Sequence, residues 1–300
     1  MYFKFNDMRV KVLVCCHEKS SVFNDDIYMP IQCGKALSDF DLGIQGDDEG
    51  DNISYKNKTY CELTAIYWAW KNLKNVDYVG LCHYRRFFDF SFVPYFNKES
   101  ENITLEDLQS EASRLSPLDC LKQNNIVLPS SRSFQRSIFE VHAFNLNYMD
   151  VCVLEKVILD LYPEYRTSVE YVFYHNRNVP QRNMFVMRKD IFDRYCEFLF
   201  SVLFEVEKYV RLSPYSYYQR VFGFMGEMLL PLFIYHNRYS FVQKRILFID
   251  KSSNNSNILS DLAIDAFNKL RFFLNTRTSR PIYSIYYQSR LKQEFSDLFK

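Results

Sequence analysis

The chain has 300 residues, 48% of them hydrophobic and 18% aromatic, which is ample for a buried core in one large domain or two smaller ones. Its formal net charge of +1 lacks the basic excess of a general nucleic-acid binder, so any charge effect must be local. No apolar run approaches the roughly 18 residues of a membrane span, and the charged N-terminus reads as carrying no secretory signal. The eight cysteines lack CxxC spacing and read as buried thiols of a reducing cytosol.

In chain order, Val10 to Cys16 is a short β-branched run that reads as a first, central strand, followed by a polar loop from His17 with groups suited to phosphate. Between Asp39 and Asp51 six acids and no base are interspersed with glycines, a loop composition. Residues 60–74 place Leu63, Ile66, Tyr67 and Trp70 at helical spacing, and Tyr78 to His83 is the strand that follows. A further strand is expected at Ile126 to Leu128, with a basic loop from Arg132 to Arg136 after it. Next come a helix over Tyr148 to Leu161, a strand at Asn183 to Met187 and a helix over Lys189 to Lys208. Gly223-Phe-Met-Gly-Glu227 is expected to open an apolar helix with Pro231 in its first turn or at a kink. Strands alternating with helices predict an α/β fold with a mostly parallel central sheet. After Asp250 a polar, Ser/Asn-rich stretch separates residues 1–250 from an extension at 251–300. From Lys269 to Lys292 that extension holds six basic residues and no acid among aromatic rings. The pattern suits either an anionic membrane surface or a solvated helix capping the domain.

Three constellations carry chemistry. The strand ending in His83-Tyr84-Arg85-Arg86 places a histidine and two guanidinium groups where ligands bind in α/β sheets, and suits phosphate or diphosphate. Strand alternation lets only one of the two arginines face a given pocket unless the chain has turned. The loop Gly46-Asp47-Asp48-Glu49-Gly50-Asp51-Asn52 offers oxygen ligands for magnesium or manganese through Asp47, Asp48 and Asp51, although the same residues also make ordinary turns. Glu227, at the expected helix start, is a carboxylate whose pKa the helix dipole lowers and burial raises. The histidines show no zinc-ligand spacing.

The motifs Leu-Val-Cys-Cys-His17, Pro-Ile-Gln-Cys-Gly-Lys35, Gly-Asp-Asn-Ile-Ser54, Tyr-Cys-Glu62, Tyr-Trp-Ala-Trp-Lys71 and Leu-Cys-His-Tyr-Arg-Arg86 together resemble a bacterial family. It is that of the capsular and exopolysaccharide glycosyltransferases, long known as a domain of unknown function. Asn183-Met-Phe, Tyr195-Cys-Glu197 and Gly223-Phe-Met-Gly-Glu227 extend the resemblance over roughly residues 10–235. It implies a GT-A-like fold with a helical C-terminal extension and a nucleotide-sugar-dependent transferase, some members being associated with galactofuranose.

On that footing the expected reaction is inverting transfer from a UDP-sugar to a hydroxyl of a capsular, exopolysaccharide or O-antigen glycan, with Glu227 as base and Asp51 in reserve. Donor contacts are expected from His17, Lys19, Asp47, Asn52, His83, Tyr84, Arg85, Arg86, Asn183 and Arg220. Arginines at the position where GT-A enzymes carry their metal-binding Asp-X-Asp would make a divalent metal dispensable, while Asp47, Asp48 and Asp51 keep that option open. A lipid-linked acceptor would put the enzyme on the inner face of the cytoplasmic membrane through residues 269–292, with no nucleic-acid partner. The other readings are a non-catalytic glycan or polyanion-binding module, and a phosphoryl-transfer enzyme using the His-Tyr-Arg-Arg cluster.

Overall fold

The computed structural model describes residues 8–19, 22–91, 100–133, 136–180 and 182–249, together with 266, 267 and 270. The strands of the chain's first part are β1 (Val10–Cys16), β2 (Tyr28–Gln32), β3 (Gln45–Gly46), β4 (Tyr78–His83), β5 (Arg86–Phe88) and β6 (Ser100–Ile103). Those that follow are β7 (Ile126–Pro129), β8 (Ser131–Ser133), β9 (Asn178–Pro180), β10 (Phe185–Arg188), β11 (Val242–Lys244) and β12 (Ile246–Ile249). The helices are α1 (Asn57–Tyr60), α2 (Leu63–Asn72), α3 (Leu105–Ser110), α4 (Leu118–Leu121), α5 (Ile138–Asn145), α6 (Tyr148–Leu161), α7 (Arg166–Val169), α8 (Lys189–Val206) and α9 (Val221–His236).

The main sheet runs β11-β7-β10-β4-β1-β2-β3. Its β1–β2, β1–β4, β2–β3 and β7–β11 pairings are parallel, and β10 alone runs against both its neighbours. The fold is therefore the expected α/β arrangement with a mostly parallel sheet, and β1 lies inside it as expected. β4 ends because the chain reverses at Tyr84-Arg85: His83 pairs antiparallel with Arg86 of β5, which continues into a side branch with β12 and β6. The basic-aromatic extension at 269–292 and the 251–300 unit lie almost wholly outside the described residues. Among the described residues no helix is long and apolar enough to cross a membrane.

Side-chain alternation sorts the core into two faces. Leu13 and Cys15 of β1, with Val79 and Leu81 of β4, pack among α2, α6, α8 and α9. Val10, Val12, Val14 and Cys16, with Tyr78 and Cys82, pack on the opposite face with Phe87, Phe88, Leu108 and Leu121. Odd-numbered positions of β4 thus face the large helices, and His83 is the last of them.

Two helices differ from expectation. The stretch expected to be one helix over 60–74 is broken at Cys61, whose φ of 52° and ψ of −132° no helix contains. The side chain of Asn57 holds the break, donating from Nδ2 to the carbonyl of Cys61 at 2.8 Å and to Thr64 Oγ1 at 3.0 Å. α9 begins at Val221, before its glycines, so Pro231 lies in its interior and Glu227 in its second turn. Gly223 and Gly226 are packing positions instead of start signals. A Cβ on Gly223 would lie 3.0 Å from Cys61 Sγ, and one on Gly226 would lie 2.9 Å from Asn183 Oδ1.

The acidic loop is organised around Asp47, which is fully buried. Its carboxylate accepts from the backbone N–H of Gly34 (2.8 Å) and Lys35 (3.1 Å) and from the hydroxyls of Ser54 and Thr64 (2.5 Å each). This corrects its expected donor or metal role, because a carboxylate turned inward onto four protein donors has no lone pair left for a ligand. Asn52 is corrected likewise: it donates to the carbonyls of Asp48 and Gly50 and accepts from the N–H of Ser54. We expect Asp47→Asn, which sets an NH2 group against those donors, to cost about 3 kcal/mol of stability, read as a lower urea midpoint.

Candidate active site

His83, Arg86, Glu62, Asn183, Arg182, Arg220 and Glu227 converge at the carboxyl end of β4, each delivered by a separate local device. Cross-strand partners share a face of a sheet, so the hairpin turn puts Arg86 on the same side as His83. Because β10 is antiparallel to β4, the residues entering it, Arg182 and Asn183, arrive at this same end. The break at Cys61 places Glu62 immediately before α2, and the second turn of α9 supplies Glu227.

Asn183 is the joint of the cluster. It is fully buried, and its Nδ2 donates to Glu62 Oε1 at 2.8 Å and to the carbonyl of Gly223 at 3.0 Å. Both its N–H groups are thus spent on tying Glu62 to α9, while its Oδ1 is buried without a hydrogen-bond partner among the described residues. Gly226 allows this, since a side chain there would displace the amide.

Glu227 stands within electrostatic reach of Glu62, and burial, reinforced by that second carboxylate, pushes its pKa up to about 7. The backbone N–H of Arg182, at 3.3 Å, and the charges of Arg182 and Arg220 act in the opposite direction. The dipole effect expected of a helix start does not operate, because it fades beyond the first turn. The result is a carboxylate that changes charge near neutral pH, as a general base requires.

Burial, aided by the positive charge of Arg86 and Arg182 and opposed by Glu62, lowers the pKa of His83 to about 4 and keeps the ring neutral. Its Nε2 and the Nε of Arg86 are buried without hydrogen-bond partners among the described residues. The guanidinium groups of Arg86 and Arg182 lie 5.7 and 4.9 Å from the ring of Phe248, which β12 sets beside Arg86. Arg220 places its Nε 3.3 Å from Cys61 Sγ.

The remaining expected residues divide. His17, exposed after β1, packs edge-on to Tyr84 with ring centroids 5.2 Å apart, and its charge is felt at His83. Lys19 lies farther along the loop, on the wall of a cleft of about 350 Å³ shared with Glu18, Asn24, Asp41 and Leu42. Arg85 is corrected: it pairs with Glu18 at 2.8 Å on the surface, and the Tyr84 hydroxyl donates to that same carboxylate. The two arginines that meet here, over the ring of Phe248, are Arg86 and Arg182, and Arg85 is turned away from them. Asp51 is corrected too. Its backbone is pinned by Asn72, the last residue of α2, and its carboxylate accepts from Tyr67, so it sits about 15 Å along that helix from Glu62. Among the described residues no three His, Cys, Asp or Glu side chains gather as a metal-binding set, so Asp47, Asp48 and Asp51 do not form the expected one.

Glu62, Arg182 and Phe248 were not singled out in the sequence. The Tyr-Cys-Glu62 motif contained the only available signal, a carboxylate at the edge of a helical pattern.

Residues 11–238 match the model of a family described as "Domain of unknown function (DUF4422)". Among solved structures, a WbbM bifunctional glycosyltransferase in its apo form is similar, with a TM-score of 0.75 and 33% sequence identity. The match covers 82% of this chain and 45% of that one, so this chain spans less than half the length of that protein. No curated protein matches.

A carboxyl whose folded-state pKa is raised stabilises the fold fully below its unfolded value, and that contribution is lost as pH rises through the folded one. We expect the urea midpoint of the protein to fall as pH is taken through about 7. Glu227→Gln should fall measurably less between pH 5.5 and 8.5, since the amide has no charge to bury.

Proposed function

This chain belongs to the DUF4422 family, and we propose that it is a glycosyltransferase using a nucleotide-diphosphate sugar, with Glu227 as the general base. The observation that carries this reading is the near-neutral carboxylate of Glu227 facing a half-buried cationic group, Arg86 and Arg182, at the carboxyl end of a parallel pair of strands. Similarity to a bifunctional glycosyltransferase supports it independently.

In this mechanism the donor diphosphate lies against Arg86 and Arg182, with the nucleotide toward His17 and the cleft beside Lys19. Neutral His83 offers its buried Nε2 as a hydrogen-bonding group that carries no net charge. The acceptor hydroxyl loses its proton to Glu227 as its oxygen attacks the anomeric carbon. The bond from that carbon to the diphosphate oxygen breaks, and the negative charge on the leaving group is stabilised by the two guanidinium groups. One base and one displacement give inversion. Asn183 keeps Glu62 in place, and Glu62 adds to the burial that keeps the pKa of Glu227 high.

UDP is the proposed nucleotide and galactofuranose the first sugar to try, both on the strength of the family resemblance. The acceptor is a bacterial surface glycan, lipid-linked, with residues 269–292 on the anionic inner face of the membrane. Deleting that segment should release the protein from anionic liposomes.

The decisive assay incubates the protein with a panel of UDP-sugars and follows transfer or hydrolysis with and without EDTA. We expect turnover with one donor and its persistence in EDTA, because the arginines supply the positive charge. Glu227→Gln should lower kcat by about a thousandfold while donor binding stays near normal. For the wild type, kcat/KM should rise with pH through an apparent pKa near 7, and NMR of the product should show an inverted anomeric centre. Absence of binding by every UDP-sugar would refute the assignment.

A further inference from the structure

Between α8 and α9 the chain leaves three neighbouring tyrosines in solvent. Tyr215, Tyr217 and Tyr218 are 71%, 52% and 46% exposed. The segment is ordered by its own hydrogen bonds. The N–H of Tyr218 donates to the carbonyl of Tyr215 (3.1 Å), the N–H of Tyr215 to Ser213 Oγ (3.2 Å), and Gln219 Nε2 to the carbonyl of Ser213 (3.0 Å). Tyr217 packs on Tyr218 edge-to-face at 5.4 Å and leans on Phe224 of α9 at 5.8 Å. Rings presented on a fixed turn are a binding surface in form, since exposed aromatic area concentrated in one patch marks interaction sites.

The patch adjoins the candidate active site. Arg220 is the next residue but one after Tyr218; its N–H bonds the carbonyl of Tyr217, its guanidinium reaches Cys61, and its charge acts on Glu227. From Arg220 to Glu227 is about 10 Å along the axis of α9. The tyrosine turn is therefore joined to Arg220, whose charge reaches the proposed base.

We propose that Tyr215, Tyr217 and Tyr218 form the platform on which the acceptor glycan rests, sugar rings stacked on phenol faces, with the terminal hydroxyl directed toward Glu227. This rests on the transferase reading above. A sugar ring has an apolar C–H face rimmed by hydroxyls, and tyrosine matches both, with a flat ring for the face and an O–H for the rim. The alternative occupant, an anionic bilayer, selects clustered positive charge. Its cations do not form a cluster: Lys208 is bonded to Glu205 and Arg220 is turned onto Cys61, so the exposed Arg211 is a single guanidinium beside three rings.

The test uses the full chain and a panel of galactose, glucose, mannose and rhamnose tetrasaccharides. Saturation-transfer NMR should show at least one of them receiving saturation from tyrosine rings. The Tyr215→Ala/Tyr218→Ala variant should lose that transfer and raise the acceptor KM at least tenfold, with hydrolysis of the UDP-sugar in the absence of acceptor unchanged. Tyr215→Phe/Tyr218→Phe, which keeps the rings, should retain most of the affinity. If the double alanine variant unfolds, Tyr215→Ala alone, at the most exposed position, should still raise KM. The proposal is overturned if no tetrasaccharide receives saturation from the wild type or if acceptor KM is the same in the alanine variants. It is equally overturned if those variants lose only sedimentation with phosphatidylglycerol vesicles, which would assign the surface to a membrane. Failure of the transferase reading looks different: no UDP-sugar would turn over, while ring-to-sugar transfer would persist.

Discussion

The side-chain amide of Asn183 donates one hydrogen bond to Glu62 and one to the carbonyl of Gly223, and the candidate site hangs on that pair of contacts. Two half-buried carboxylates brought together repel, and each would relax toward solvent unless something neutral held it. Asn183 does this for Glu62 without cancelling its charge, as a lysine in the same place would. Burial first, and then the charge that remains on Glu62, push the pKa of Glu227 up to about 7. The two glycines of α9 serve the same end, because without a Cβ the helix comes close enough for its backbone to accept the second bond.

Around the carboxylates the sheet supplies the compensating charge. Alternation along β4 gives the helical face to His83, and the two-residue turn returns Arg86 to that face while sending Arg85 out to Glu18. Arg182 comes from the opposite strand direction, on the approach to β10. Burying this many charged groups is tolerable because they offset one another and remain in partial contact with solvent. The geometry suits an anionic ligand that would complete the neutralisation.

Much of this framework was legible in the chain. β1 and β4 lie where their apolar runs placed them, and α6 occupies the span its periodicity and Pro163 delimited. His83 and Arg86 stood out because a charged residue at the end of a buried run is costly and local, whereas Glu227 stood out as an acid at an expected helix start that the fold moved to Val221. Roles were harder to read than positions. Asp47 looked like a ligand-binding acid because its four donors come from three separate segments, and Asn183 looked free because its partner Glu62 lies 121 residues away.

By itself, then, the sequence determined the alternation of strands and helices, the end of β4 and the presence of a chemically loaded cluster there, since those follow from periodicity and from the cost of burying charge. Which arginines meet, which acids face inward and where α9 begins were decided only by tertiary structure. Each depends on contacts between segments far apart in the chain. A helix start, a carboxylate's pKa and a guanidinium's direction are set by whatever packs against them, and no local pattern encodes that.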